Sequence, residues 1–164
     1  MSGAPSTAQD LSALFKQAMG SFPSGVTVLT TLDPHGAPVG MTASAFISVS
    51  LSPPLVLESV AKTAQMHAHL TREPRYAVSI LSASQADESD HFAGWGREGF
   101  TPSLSTLGGL PTVRGSVARL ACRVVARVEA GDHTLFIGEV EEVEVEEGAP
   151  LVYARRGYHG LGPR

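Results

Sequence analysis

A single cysteine among 164 residues excludes an intrachain disulfide and suits a reducing compartment. Cys122 falls on the apolar parity of its segment, between Leu120 and Val124, which reads as core and not as a catalytic thiol. Charge is also scarce. Asp, Glu, Lys and Arg make up 17% of a chain that is 43% hydrophobic, too little for a freely solvated surface, so part of the surface is expected to lie against another subunit. The net charge is −4 and the cations are scattered, which leaves no footprint for nucleic acid. Residues 1–7 hold neither a basic leader nor an apolar run, so no membrane segment or export is expected and the reading is cytoplasmic. There is no Walker phosphate loop and no Gly-x-Ser-x-Gly elbow. Gly94-Trp95-Gly96-Arg97-Glu98-Gly99 spells the dinucleotide pattern, yet that fingerprint needs a strand before it and a helix after it. Here a polar helical segment precedes and Phe100-Thr101-Pro102-Ser103 follows, so the glycines read as loop. His67 and His69, two apart on a helical stretch, point to different faces, and no metal is expected.

What the chain does hold is glycine, 17 residues, and proline, 11, the punctuation of a turn-rich β protein. One domain over residues 10–164 is expected, after a flexible N-terminus at 1–9. Leu11, Leu14, Phe15, Ala18 and Met19 recur at helical spacing, with Asp10 as N-cap and Gly20 as stop. Val26 to Leu32 reads as a strand, and Asp33-Pro34-His35-Gly36 as the turn that doubles it back. Thr63 is expected to cap a short helix ended by Pro74, and Tyr76 to Leu81 forms another strand. Leu104 to Gly115 reads as loop. From Ala118 to Glu129 the alternation is cleanest, with Cys122 on the apolar face and Arg119, Arg123 and Arg127 on the other. Gly131 turns it into a partner, Thr134 to Val140. The acidic run from Glu139 to Glu147 is expected to face the arginines across that hairpin. Five to seven strands with no repeated βα unit call for an antiparallel barrel.

The most informative stretch is Gly40-Met41-Thr42-Ala43-Ser44-Ala45-Phe46-Ile47-Ser48-Val49-Ser50-Leu51-Ser52-Pro53-Pro54. In an extended chain Thr42, Ser44, Ser48 and Ser50 share one face, and the small residues around them leave room for a flat ligand. A half-buried strand with hydroxyls outside would show the same alternation. Val60-Ala61-Lys62-Thr63 sets a cation and a hydroxyl beside a helix start, which suits a phosphate but equally a plain cap with a solvated lysine. No nucleophile constellation is present, so any redox chemistry has to come from a cofactor.

The Gly40–Pro54 stretch resembles the signature of the short-chain flavin reductases. Phe22-Pro23-Ser24-Gly25-Val26-Thr27-Val28, Gly131-Asp132-His133 and Gly157-Tyr158 extend the resemblance from about Leu11 to Leu161. It implies a mainly β fold, the antiparallel Greek-key FMN-binding split barrel with a few peripheral helices. It also implies a homodimer with flavin at the subunit boundary. The implied activity is NAD(P)H-dependent reduction of FMN or FAD by hydride transfer, with reduced flavin supplied to a partner monooxygenase. By the same resemblance the flavin is held by Pro23, Ser24, Met41, Thr42, Ala43, Ser44, Ala45, Ser48, Val49, Ser50, Ala61, Lys62, Thr63 and Phe92, with Lys62 and Thr63 on its phosphate. His133 orients the nicotinamide, with Tyr158 a second contact on that side. Two positions depart from the signature. Ala45 stands where a hydroxyl is common, and Ser52 where Asp is common before Pro-Pro. The alternatives are a flavoprotein with resident FMN acting on a small substrate, and a non-enzymatic flavin- or haem-binding module.

Overall fold

The computed structural model describes residues 7–163, so part of the expected flexible N-terminus, residues 1–6, lies outside the described residues. Helix α1 (Ala8–Gly20) opens it. Its N-cap is Thr7 and not Asp10: Thr7 Oγ1 accepts the Asp10 N–H at 3.2 Å, and the Asp10 carboxylate accepts the Thr7 N–H at 3.0 Å. Asp10 thus fills the third helical position of a capping box, which satisfies two orphan donors instead of one. The chain continues through β1 (Ser24–Gly25), β2 (Thr27–Leu32), β3 (Pro38–Ala43), β4 (Phe46–Leu51) and β5 (Pro54–Ala61). Helix α2 (Gln65–Arg72), β6 (Arg75–Ile80) and α3 (Ala86–Phe92) follow. Then come β7 (Leu104–Leu107), β8 (Leu110–Val113), the long pair β9 (Ala118–Ala130) and β10 (His133–Val145), and the small hairpin β11 (Val152–Ala154) and β12 (Gly157–His159).

Seven strands make one antiparallel sheet in the order β3-β2-β6-β9-β10-β5-β4. Its two edge strands, β3 and β4, are consecutive in the chain and are joined only by Ser44 and Ala45. Three Cα steps of 3.8 Å put Ala43 and Phe46 within about 11 Å. The sheet therefore curls until its edges nearly meet, yet β3 and β4 do not pair, which leaves an open seam: a split barrel. The Gly40–Pro54 stretch is accordingly not one strand. It breaks at Ser44-Ala45, and a bulge between Ser48 and Ser50 shifts the parity again, so its hydroxyls do not share one file.

The curled sheet encloses Leu29, Val60, Leu70, Tyr76, Val78, Cys122 and Phe136, all fully buried. Glu58 lies among them, opposite Phe46 on one side and Phe136 on the other. The Tyr76 hydroxyl donates to Glu58 Oε2 at 2.7 Å, while Oε1 has no hydrogen-bond partner among the described residues. Burial pushes the Glu58 carboxyl from 4.5 up to about 8 and the Cys122 thiol up to about 12, so both stay protonated at neutral pH. The Tyr76 ring reaches Glu58 across Gly138, where a Cβ would stand 2.0 Å from the phenolic oxygen.

Three further expectations are corrected. Residues 104–113 are not loop but the β7–β8 hairpin, turned by Gly108 and Gly109, both at positive φ. That hairpin covers Ala121, so the outer face of β9, expected to be charged, is apolar and buried at that point, while Arg123 and Arg127 remain exposed. Thr63 does not cap α2, whose N-cap is Ala64 with no side-chain hydrogen bond; Lys62 and Thr63 form a turn. The acidic run does face the arginines: Arg119 pairs with Glu144 and Glu146 at 2.7 and 2.6 Å, and Arg123 with Glu141 at 3.1 Å. Residues 93–99 are turn and loop, with no helix after them. Among the described residues no helix is long and apolar enough to cross a membrane.

Candidate functional site

The seam between β3 and β4 carries the motif, and both strands are sheet edges whose outward backbone groups have no neighbour strand. Along β3 the side chains alternate. Met41 and Ala43 turn into the barrel core, so they offer a ligand only their backbone, while Thr42 and Ser44 line a cavity of about 220 Å³. Val26, Ser89, Ala93, Trp95, Tyr153 and Tyr158 complete its wall. No charged side chain is among them, so the cavity offers hydroxyls and aromatic faces to a neutral ring.

Tyr158 is fixed by α3. Its hydroxyl donates to Asp90 Oδ1 at 2.5 Å and lies 2.9 Å from Ser89 Oγ. Burial first, and the Asp90 bond next, raise its phenol above the ordinary value, so it keeps its proton. The Thr42 hydroxyl donates to the Ser89 carbonyl at 2.6 Å, tying β3 to the same helix. Tyr153 meets Tyr158 edge-on, with ring centroids 5.5 Å apart. Phe92 lies over Gly40, where a Cβ would come within 2.6 Å of its ring. Gly40→Ala is therefore expected to drive the ring off β3, at about 1–3 kcal/mol of overpacking. The thermal midpoint should fall by roughly 5 °C, and an unchanged midpoint would contradict this packing. Ser24 pairs with Tyr153 across β1 and β11, which brings Pro23 and Ser24 to the same hairpin.

A second group forms at the other end of β5. Ala61 is the register partner of His133, and the Lys62 N–H donates to the Asp132 carbonyl at 3.0 Å. His133 Nδ1 lies 2.8 Å from Asp132 Oδ1. That contact holds the Asp132 carboxyl below the usual range, so Nδ1–H is the donor and Nε2 is left for another partner. Lys62 Nζ pairs with Glu129 Oε2 at 2.5 Å, and Glu129 Oε1 accepts from Thr134, which in turn meets His67 Nε2 at 2.8 Å. Lys62 and Thr63 are both exposed, so an arriving phosphate would compete with Glu129 for the lysine. The Ser59 N–H donates to the Ala45 carbonyl at 3.1 Å, which links the seam to β5 two residues before Ala61. Ser48 and Val49 are exposed and Ser50 half-buried along the β4 edge.

The structure thus gathers Thr42, Ser44 and Tyr158 at one pocket, with Phe92 over Gly40 and outside its wall, and Ala61, Lys62, Thr63 and His133 at one corner. His133 and Tyr158 do not line the same cavity. Sequence reasoning missed Trp95, Tyr153, Ser89 and Asp90. The one tryptophan of the chain, set among three glycines and 78% exposed, was the available signal for Trp95; Ser89 and Asp90 act through contacts some 69 residues away and left none.

A family model described as Flavin reductase like domain matches residues 19–162. The chain is similar to an NADH-dependent flavin reductase of Rhodococcus sp, 41% identical over 148 residues that cover 89% of this chain and 84% of that one. It is also 43% identical over 148 residues to the reductase component of 4-hydroxyphenylacetate 3-monooxygenase from Thermus thermophilus, covering 90% and 95% of the two chains. A solved flavin reductase in its native state superposes with a TM-score of 0.88 at 46% identity, covering 92% of this chain and 98% of its own.

Proposed function

The chain belongs to the flavin reductase like family, and from that premise we propose that it oxidises NADH or NADPH, reduces FMN or FAD, and supplies reduced flavin to a partner monooxygenase. The observation that carries this reading is the uncharged pocket of hydroxyls and aromatic rings between the end of β3, α3 and the β11–β12 hairpin, with Thr42 and Ser44 of the motif in its wall. Its donor set fits a flavin, which has a flat apolar ring and a polar edge. Thr42, Ser44 and the outward edges of β3 and β4, including Ala45, Ser48, Val49 and Ser50, hold ring and ribityl chain. Lys62 and Thr63 take the phosphate, and Pro23, Ser24, Ala61 and Phe92 border it. When bound, flavin supplies a two-electron acceptor for the hydride.

The chain's own groups position the reactants. The Tyr158 hydroxyl donates to Asp90, which fixes the ring as a wall of the pocket. His133, steered by Asp132, presents Nε2 to the carboxamide of the dinucleotide. Hydride transfer depends on ring stacking more than on acid–base help, so His133→Ala is expected to raise KM for NADH about fivefold to tenfold, worth one hydrogen bond, with kcat nearly kept. A collapse of kcat at unchanged KM would contradict this role.

The assembly is a homodimer. Support comes from apolar side chains left bare on one protomer: Leu11, Leu14, Phe15 and Met19 on α1, and Ile47, Val49 and Leu51 on β4. Helix α1 is amphipathic as expected but buries none of its residues. A partner against β4 would put flavin at the subunit boundary.

The test mixes purified protein with NADH, or NADPH in parallel, and follows nicotinamide absorbance in air with and without added FMN or FAD. Oxidation that saturates with added flavin is the expected result. Flavin binding seen as quenching of Trp95, without oxidation of either nucleotide, would overturn the reductase reading.

A further inference from the structure

A groove of about 850 Å³ runs between α1 and the turn of the β11–β12 hairpin. The only charged side chains lining it are Lys16, Arg155 and Arg156, three cations on a chain of net charge −4. All three are exposed, and none of the ion pairs among the described residues engages them. The two arginines are the central residues of the hairpin turn, at φ 49° and 63°. A two-residue turn with both φ values positive normally takes Asn-Gly or Gly-Gly, and a long L side chain there costs on the order of 1 kcal/mol each. The Arg155 N–H docks the turn on the end of α1, donating to the Gly20 carbonyl at 2.7 Å. The negative end of the helix would favour one nearby cation. It does not account for three around an open groove.

The same hairpin also reaches the pocket. Tyr153 and Tyr158 face one another across its stem and line the cavity with Thr42 and Ser44. The turn lies two residues beyond that pair, about 7 Å along the strands. A dinucleotide that stacks on a flavin ring held in that pocket can lay its phosphate chain at the arginines. The flavin phosphate already has Lys62 and Thr63, which leaves this cationic groove to a second phosphate-bearing group.

We propose that the groove between α1 and the β11–β12 turn seats the ADP half of NAD(P)H, with Lys16, Arg155 and Arg156 on its diphosphate. Guanidinium forks match paired phosphate oxygens. The inference rests on the reductase reading for the identity of its ligand.

The primary variant is Arg155→Asn with Arg156→Asn, because Asn tolerates the left-handed conformation and removes the charge without removing the turn. Its thermal midpoint should stay level or rise. Lys16→Gln, on an exposed helix face, is the second variant. With FMN as acceptor, KM for NADH is expected to rise about tenfold in the double variant and about threefold in Lys16→Gln. KM for reduced nicotinamide riboside, which carries no phosphate, should not move. A rise in KM for FAD with none for NADH would overturn the proposal. So would values for NADH within twofold of the parent, or an equal rise for the riboside. Calorimetric titration with ADP-ribose reads the groove without turnover. Binding weakened about tenfold by the double variant supports it, and no binding or equal affinity sinks it, whether or not the chain proves to oxidise NADH.

Discussion

Gly138→Ala is expected to cost more stability than any substitution at the site. The added Cβ would stand 2.0 Å from the Tyr76 hydroxyl oxygen and 2.9 Å from the ring carbon that bears it. Neither side can yield cheaply. Gly138 is held in register between Val56 and Val124 in the middle of the sheet, and Tyr76 is fully buried. If the ring moves, the Tyr76–Glu58 bond breaks and a buried carboxyl loses its one partner. Overpacking of about 1–3 kcal/mol and an unsatisfied polar group of about 1–3 kcal/mol then act together. In a chain of this size that lowers the thermal midpoint on the order of 10 °C. The check is a melting curve of the variant beside the parent and beside Gly138→Ala with Tyr76→Phe. The double variant removes the closest contact and should recover part of the loss. A single variant that melts with the parent would show that the ring does not lie across Gly138.

The second large effect is a pH dependence. The folded state holds the Glu58 carboxyl near 8 against an ordinary 4.5, so the native protein keeps a proton that the unfolded chain releases. Its contribution to stability is fully present below about pH 4.5 and is lost progressively as pH rises toward 8, where the buried group must ionise. The amount at stake is a few kcal/mol. Glu58→Gln keeps the shape and the acceptor for Tyr76 but cannot ionise. Its amide brings two donors where the acid has one, so at about pH 5 the variant should be the less stable by ~1 kcal/mol. By pH 8.5 the order should reverse, with the variant ahead by ~2 kcal/mol or more. Urea midpoints across that range test this. Curves that stay parallel would mean that Glu58 does not titrate with folding.

The parts of the fold that were legible are those in which one strand carries its own evidence. β9 and β10 alternate at period two around a glycine turn, and their charges answer each other across the pair, so hairpin and pairing follow from residues 118–145 alone. β7 and β8 were hidden because Pro111 and the glycine pair look like loop, although Leu-Ser-Thr-Leu and Leu-Pro-Thr-Val flank that pair symmetrically. The N-cap slipped by three residues because Thr7 and Asp10 are both good caps, and only the reciprocal bonding separates them. At the site, Thr42, Ser44 and Tyr158 were reachable through the motif. The pairing of Lys62 with Glu129, and the hold of Ser89 and Asp90 on Tyr158, join residues far apart in the chain and have no local pattern. Phe92 over Gly40 is the same kind of fact, a glycine that matters for what lies on it.

Ser44 and Ala45 do two jobs with one pair of peptide units. They fasten the opposite borders of the sheet to each other, and Ser44 stands in the wall of the pocket. Where they cross it, the width of the seam is therefore a covalent length, set by chain connectivity and not by how side chains settle, and it cannot open beyond what two residues reach. An inserted residue there would let the borders part by up to about 3.5 Å, so the clasp of the barrel also sets where the wall of the pocket stands at Ser44.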